Sequence, residues 1–173
     1  ELGLTYDELV SRPLVERYLT LSCVSNEVGG NLIGNAKWLG VRLADVLDEA
    51  GVAPAAPQLA SRSADGWTCG TPVSAVMDGR DALLAVAMNG EPLPADHGYP
   101  VRMVVPGLYG YVSATKWLTE LELTTWEAFE GYWVPRGWAR EAPVKVQSRI
   151  DTPRRRNTLQ PGTVPVAGLA WAM

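Results

Sequence analysis

Cys23 is a lone thiol at the junction of a strand-like run and a glycine-rich turn, a placement that suits a metal bond or a covalent step. The run reads Tyr18-Leu19-Thr20-Leu21-Ser22-Cys23 and continues Val24-Ser25-Asn26-Glu27-Val28-Gly29-Gly30-Asn31. Leu19 and Leu21 alternate with Tyr18, Thr20 and Ser22, the period of a half-buried strand. A strand holds a side chain rigidly, and a Gly-Gly turn lets a second backbone or a bulky ligand approach. A free cysteine also packs well as a small hydrophobe, so position alone leaves both roles open. His97 is the one histidine, and any triad must use it. Two arrangements follow: a Cys23–His97 nucleophile pair, or zinc held by Cys23, Cys69, His97 and an acid, although no C-x-x-C spacing supports the second.

His97 heads a second polar group. It lies in Met88-Asn89-Gly90-Glu91-Pro92-Leu93-Pro94-Ala95-Asp96-His97-Gly98-Tyr99-Pro100-Val101-Arg102, with Val105-Pro106-Gly107-Leu108-Tyr109-Gly110 and then Ser113, Thr115 and Lys116 beyond. Hydroxyls, an arginine, a lysine and exposed glycine backbone in one loop system form a cradle for phosphate or an oxyanion. Lysine is scarce here, so Lys37, Lys116 and Lys145 each stand out among twelve arginines. Taken singly, each of these polar residues is also an ordinary solvated turn residue.

Several mechanisms are excluded by motif. There is no G-x-x-x-x-G-K-[ST], no G-x-G-x-x-G, no H-E-x-x-H and no C-x-x-C-H haem attachment. A net charge of -4 gives no electrostatic reason to expect nucleic acid as a partner. With 173 residues, 47% apolar and 20% charged, the chain can bury a sizeable core and is not globally disordered. Two cysteines make no disulfide framework. The run from Ala82 to Met88 is far too short to span a bilayer. The chain starts at Glu1 without an initiator Met, so a processed or trimmed piece is expected.

The elements that must position these groups read as mixed α+β with many loops. Thr5 and Glu8 form a capping box that opens a helix to Val10, and Pro13 ends it. A strand leads to Cys23, followed by a loop over Ser25 to Asn35. Arg42 to Ala50 is a helix with Leu43, Val46, Leu47 and Ala50 on one face and Gly51 at its end. Leu59 to Arg62 reads as a strand. Thr71-Pro72 reads as the cap and first residue of a helix to about Asp78. Leu83 to Met88 is a buried-type strand closed by an Asn89-Gly90 turn. Val101 to Val105 and Trp117 to Thr124 are further strands, and Trp126 to Trp138 is aromatic-rich and irregular. Val144 to Ile150 and Val164 to Trp171 read as the opening of a β-sandwich.

Thr20-Leu21-Ser22-Cys23-x-x-Asn26 with Gly34-Asn35-Ala36-Lys37-Trp38-Leu39-Gly40-Val41 resembles the molybdenum-binding segment of the sulfite oxidase family. The stretch from Met88 through Arg102, then Pro106-Gly107 and Lys116-Trp117-Leu118, is similar to that family's most characteristic region. The resemblance implies an α+β, β-rich molybdopterin-binding fold over residues 1–143, with the start of an immunoglobulin-like domain over 144–173. It implies a molybdenum-molybdopterin cofactor and an oxidoreductase that transfers an oxygen atom to or from a small substrate. Cys23 becomes the metal ligand and catalytic thiolate. Asn26, His97, Arg102, Ser113 and Lys116 become cofactor-binding residues, and Asp65, in Ser63-Ala64-Asp65-Gly66-Trp67-Thr68, lies in a loop facing the pocket. Electrons would pass to or from an external haem protein or quinone-linked carrier. The resemblance further leaves room for a membrane anchor upstream and a homodimer through the C-terminal domain. It slightly favours a periplasmic or membrane-associated location over a cytoplasmic one.

Departures from the family pattern bear on the substrate. Where sulfite oxidases place arginines after the metal cysteine, this chain has Glu27 and Val28, and no basic residue before Lys37. The family's tyrosine is not found in the loop Trp67-Thr68-Cys69-Gly70. Tyr132 replaces it only if its own loop folds over the pocket; otherwise it is a packing aromatic. The N-terminal part of the cofactor domain and most of the C-terminal domain are expected to lie outside these residues, so the isolated chain is expected to hold an incomplete pocket. Two alternatives stand beside sulfite oxidation: a sulfoxide or N-oxide reductase on the same core, and a cofactor-free binding domain.

Overall fold

A computed structural model describes residues 1–52, 56–154 and 156–172. In chain order the elements are α1 (Tyr6–Val10), β1 (Val15–Ser22), β2 (Ile33–Arg42), α2 (Leu43–Ala50), β3 (Gln58–Ser63), β4 (Thr68–Pro72) and α3 (Val73–Met77). They continue with β5 (Leu83–Met88), β6 (Glu91–Pro92), β7 (Arg102–Val104), β8 (Leu118–Thr124), β9 (Gln147–Thr152) and β10 (Ala167–Trp171). Strands dominate and every pairing is antiparallel. The main sheet runs β1-β2-β5-β6, with β7 also paired to β5; a second runs β4-β3-β8, and β9 pairs with β10 alone.

The alternation along β5 and β7 divides the core in two. Leu84, Val86 and Met103 face a cluster with Leu43, Val46 and Leu47 of α2, together with Leu59, Cys69 and Val76. Leu83, Ala85 and Val104 point the other way, onto Leu19, Trp38 and Leu93. A strand covered on both faces reads as an unbroken apolar run, which is why Leu83 to Met88 shows no polar alternation. The capping box at Thr5 forms with both of its hydrogen bonds. Asn89 and Gly90 take φ values of 55° and 89°, the paired left-handed turn that a tight hairpin requires.

Three local expectations need correction. The segment Ile33–Arg42 is a strand, and the expected loop ends at Leu32. Thr71 lies in β4, so the following helix begins at Val73 with Pro72 as its cap. Ala50 is exposed, although its helix mates Leu43, Val46 and Leu47 are buried.

Gly40 explains how β2 can lie between two partners. The β2–β5 register shifts between Leu39 and Gly40. A Cβ on Gly40 would overlap the Leu84 carbonyl oxygen and stand 2.7 Å from the Ala85 Cα. Gly40→Ala forces backbone against backbone, and destabilisation of about 3 kcal/mol is expected. Thermal unfolding should show the midpoint falling by roughly 6–12 °C for a chain of this size.

Candidate functional site

β1 ends at buried Ser22 and presents Cys23 to solvent. The loop that follows is closed by its own backbone. The Cys23 N–H donates to the Leu32 carbonyl at 2.9 Å, and the Asn26 N–H donates to the Cys23 carbonyl at 3.0 Å. The Asn26 carboxamide oxygen accepts from the Leu32 N–H at 2.7 Å, so Asn26 clamps the loop around the thiol. Arg149 of β9 reaches this loop: its guanidinium would lie 3.6 Å from a Cβ on Gly29. Arg149 is already paired with Asp151 at 2.9 Å.

The second constellation gathers around a single 3-10 turn, Ala95–His97. Arg102 donates from Nη1 to the His97 carbonyl at 2.9 Å and from Nη2 to the Ala114 carbonyl at 3.3 Å. Lys116 donates from Nζ to the Asp96 carbonyl at 2.9 Å, and Trp117 from Nε1 to the Ala95 carbonyl at 2.8 Å. Gly98 lets these side chains converge. Its φ is +107°, and a Cβ there would stand 2.9 Å from the Lys116 Cβ and 3.1 Å from the Arg102 Cβ. His97 itself is exposed.

Arg102 is the unusual member. It lies in β7 on the same face as Val104, with its guanidinium carbon 5.0 Å from the centre of the Trp38 ring. The residue is 6% exposed, yet its Nε is buried with no hydrogen-bond partner among the described residues. Burial pulls its pKa down to about 10, because the charged form is held away from water.

Asp65 and Lys116 meet at a cleft of about 340 Å³, lined also by Ser63, Trp67, Gly110 and Trp117. The Ser63 hydroxyl, then the Trp67 N–H, hold the Asp65 carboxyl below the usual aspartate range. The floor is the 3-10 turn Gly110–Val112, which touches β1: a Cβ on Gly110 would be 3.7 Å from the Ser22 carbonyl. That contact brings the cysteine end of β1 to the Lys116 cleft.

Ser113 does not open onto the cleft. It is fully buried, and its hydroxyl donates to the Leu108 and Tyr109 carbonyls at 3.1 and 3.0 Å. The residue tightens the turn from within, with its hydroxyl engaged by these two carbonyls rather than turned to the Lys116 cleft. Cys69 is likewise buried, with its thiol pushed up by desolvation. Among the described residues no group of three His, Cys, Asp or Glu side chains gathers, which removes the zinc alternative. No hydrogen bond joins Cys23 to His97 among the described residues.

The irregular aromatic stretch folds back onto this region. The Tyr132 N–H donates to the Thr68 carbonyl at 3.1 Å, and its ring lies 5.2 Å from Trp67 at the cleft rim. Arg136 sits over the Tyr132 ring at 3.8 Å and donates to its carbonyl. Spacing within residues 126–138 carries no trace of this, because the partners are more than 60 residues away in sequence.

A family model described as "Oxidoreductase molybdopterin binding domain" matches residues 1–133. Mitochondrial sulfite oxidase of Homo sapiens is 33% identical over 211 residues, covering 99% of this chain and 38% of the relative. The uncharacterized oxidoreductase YuiH of Bacillus subtilis (strain 168) is 35% identical over 135 residues, covering 78% of this chain and 65% of the relative. The crystal structure of the sulfane dehydrogenase SoxCD from Paracoccus pantotrophus superposes with a TM-score of 0.73 at 28% identity, over 98% of this chain and 50% of that one. The chain therefore spans well under half of the human sulfite oxidase it matches.

Proposed function

The chain belongs to the oxidoreductase molybdopterin-binding domain family, and from that premise we propose that Cys23, Arg102, His97 and Lys116 bind a molybdenum-molybdopterin for oxygen-atom transfer on a small substrate. The observation that carries the proposal is the buried, unpartnered Nε of Arg102. A buried guanidinium left with an unused donor is costly without an anion nearby. A phosphate-bearing cofactor supplies that anion, so the residues fit the group.

Each side chain has a separable part. Cys23 stands in a loop that Asn26 and Leu32 hold closed, so the thiol is positioned before any ligand arrives. A thiolate suits a soft, redox-active metal. Arg102 offers a planar donor fork and Lys116 a point charge, which together match phosphate oxygens. Lys116 is aimed by its bond to the Asp96 carbonyl. Asp65 stays ionised beside it and orients the Trp67 N–H rather than taking up a proton. When bound, the molybdenum centre supplies two-electron chemistry coupled to water, with electrons exchanged with a separate carrier.

The loop after Cys23 bears on the charge of the substrate. Glu27 and Val28 offer no cation to a dianion, and Arg149 nearby is paired with Asp151. This speaks against dianionic sulfite and suits an uncharged sulfoxide or N-oxide better.

Molybdenum per chain, measured on full-length protein from a cofactor-producing host, should be stoichiometric. Metal-free protein from a host that loads other molybdenum enzymes would leave the cofactor-free binding domain as the answer. Assays with sulfite and with sulfoxides then decide the direction.

A further inference from the structure

Next to the cysteine loop lies another cleft, of about 500 Å³. Val24 and Ser25, the two residues after Cys23, line it together with Tyr109, Tyr111, Trp138 and Lys145. It shares the Gly110–Val112 turn with the Lys116 cleft: Gly110 lines that one, and Tyr111 lines this one. Both clefts therefore abut the end of β1.

The walls are built rather than incidental. The Tyr109 N–H donates to the Ala142 carbonyl and the Val144 N–H to the Gly107 carbonyl, each at 2.9 Å. Between them, Ala142 is buried with φ at 41°, a left-handed conformation that an alanine keeps only where its surroundings enforce it. The Tyr111 hydroxyl donates to the Ala139 carbonyl at 2.8 Å, which sets its ring edge-on to Trp138 at 4.9 Å. Trp138 stacks on Trp133 at 4.7 Å, Trp133 meets Tyr132 at 5.1 Å, and Tyr132 meets Trp67 at 5.2 Å. Five rings in contact thus tie this cleft to the rim of the Lys116 cleft.

Size and polarity argue against a small dianion here. A volume of 500 Å³ falls in the range of pockets that hold organic ligands. Lys145 is the one cation in the lining, and among the described residues no carboxylate pairs with it. Flat aromatic walls with one donor at an exposed edge suit an apolar body bearing an acceptor oxygen.

We propose that this cleft binds the organic body of the substrate, that the substrate class is an S-oxide or N-oxide carrying an aromatic or bulky apolar group, and that Trp138 and Tyr111 determine that specificity. The inference rests on the oxidoreductase reading above. For a sulfoxide the balance is loss of the S–O bond, uptake of two electrons and two protons, and release of a sulfide and water. A one-electron carrier delivers the two electrons in succession.

The test uses full-length, cofactor-loaded protein whose molybdenum content is measured first. Methyl p-tolyl sulfoxide is titrated by calorimetry with no electron donor present; turnover is then followed with reduced methyl viologen. Trp138→Leu should weaken binding and raise KM by about tenfold, with kcat within about twofold and molybdenum unchanged. Lys145→Met, at an exposed position that cannot disturb the ring stack, should weaken binding about threefold. Wild-type binding in both variants, on protein that holds molybdenum and turns over, overturns the cleft assignment and leaves the oxidoreductase reading intact. A higher kcat/KM for sulfite than for the sulfoxide overturns the substrate class. Wild-type protein free of molybdenum overturns the underlying reading and this one with it.

Discussion

Cys23→Ser is expected to yield a folded protein whose activity has fallen by at least about 100-fold, since even loss of a supporting partner around a metal ligand costs up to that much. The thiol is exposed and makes no hydrogen bond through sulfur among the described residues, so folding gives it nothing to lose. Stability should change by less than about 0.5 kcal/mol, as for other surface substitutions. The loop is held by main-chain bonds and by Asn26, all of which serine leaves in place. A hydroxyl is a harder, far less acidic donor than a thiol and binds a soft metal poorly. The visible absorption of a thiolate–metal bond should disappear with activity. Cys69→Ser is the control. That thiol is buried against Thr71, 3.8 Å away, and its loss should touch stability while leaving activity and the absorption band unchanged. Full activity in Cys23→Ser would remove the metal role and return this thiol to an incidental surface position.

What could be read ahead of the structure was whatever depends on neighbours in sequence. The capping box at Thr5, the Asn89-Gly90 turn, the apolar face of α2 (Ala50 apart) and the uninterrupted run of β5 are all local patterns, and all four form. β2 was not legible, because Gly34, Asn35 and Gly40 are poor strand formers. Its extended state is imposed by β1 on one side and β5 on the other, and the second glycine is needed for the close approach to Leu84. The same limit governs the site. Motif resemblance could propose Cys23, His97, Arg102 and Lys116, but it could not tell which hydroxyl faces the cleft. Ser113 turns inward because the Gly110–Val112 turn places its Oγ beneath two carbonyls, a matter of backbone path. Tyr132 shows the converse. Its segment has no period, and its approach to Trp67 depends on pairing with Thr68 across the chain.

Arg102→Met is expected to abolish cofactor retention while barely altering the stability of the cofactor-free chain. Two contributions oppose each other in that chain. The methionine loses hydrogen bonds to the His97 and Ala114 carbonyls and the contact with Trp38, with bonds from charged groups each worth roughly 1.5–3 kcal/mol. It also removes a buried charge with an unsatisfied Nε. A folded-state pKa of about 10, well below the ordinary arginine value, corresponds to roughly 3 kcal/mol of penalty for keeping the proton. The net change in unfolding free energy should therefore stay under about 2 kcal/mol, as when other buried charges are replaced by apolar groups of similar size. The sign with pH follows from the lowered value. Below about pH 10 the folded chain carries the full penalty of the charge, and as pH rises further the penalty lifts, since the unfolded chain then binds more protons than the folded one. An anionic phosphate reverses this preference, so cofactor binding should raise the Arg102 pKa and weaken as pH climbs through about 10. Pterin released from purified Arg102→Met, quantified by fluorescence, should fall to background, while Arg102→Lys keeps a point charge and should retain a part of it. Unfolding curves on the same samples separate the two roles. A large loss of stability with pterin retained would make Arg102 a purely structural residue and leave the cofactor's phosphate to Lys116 and His97.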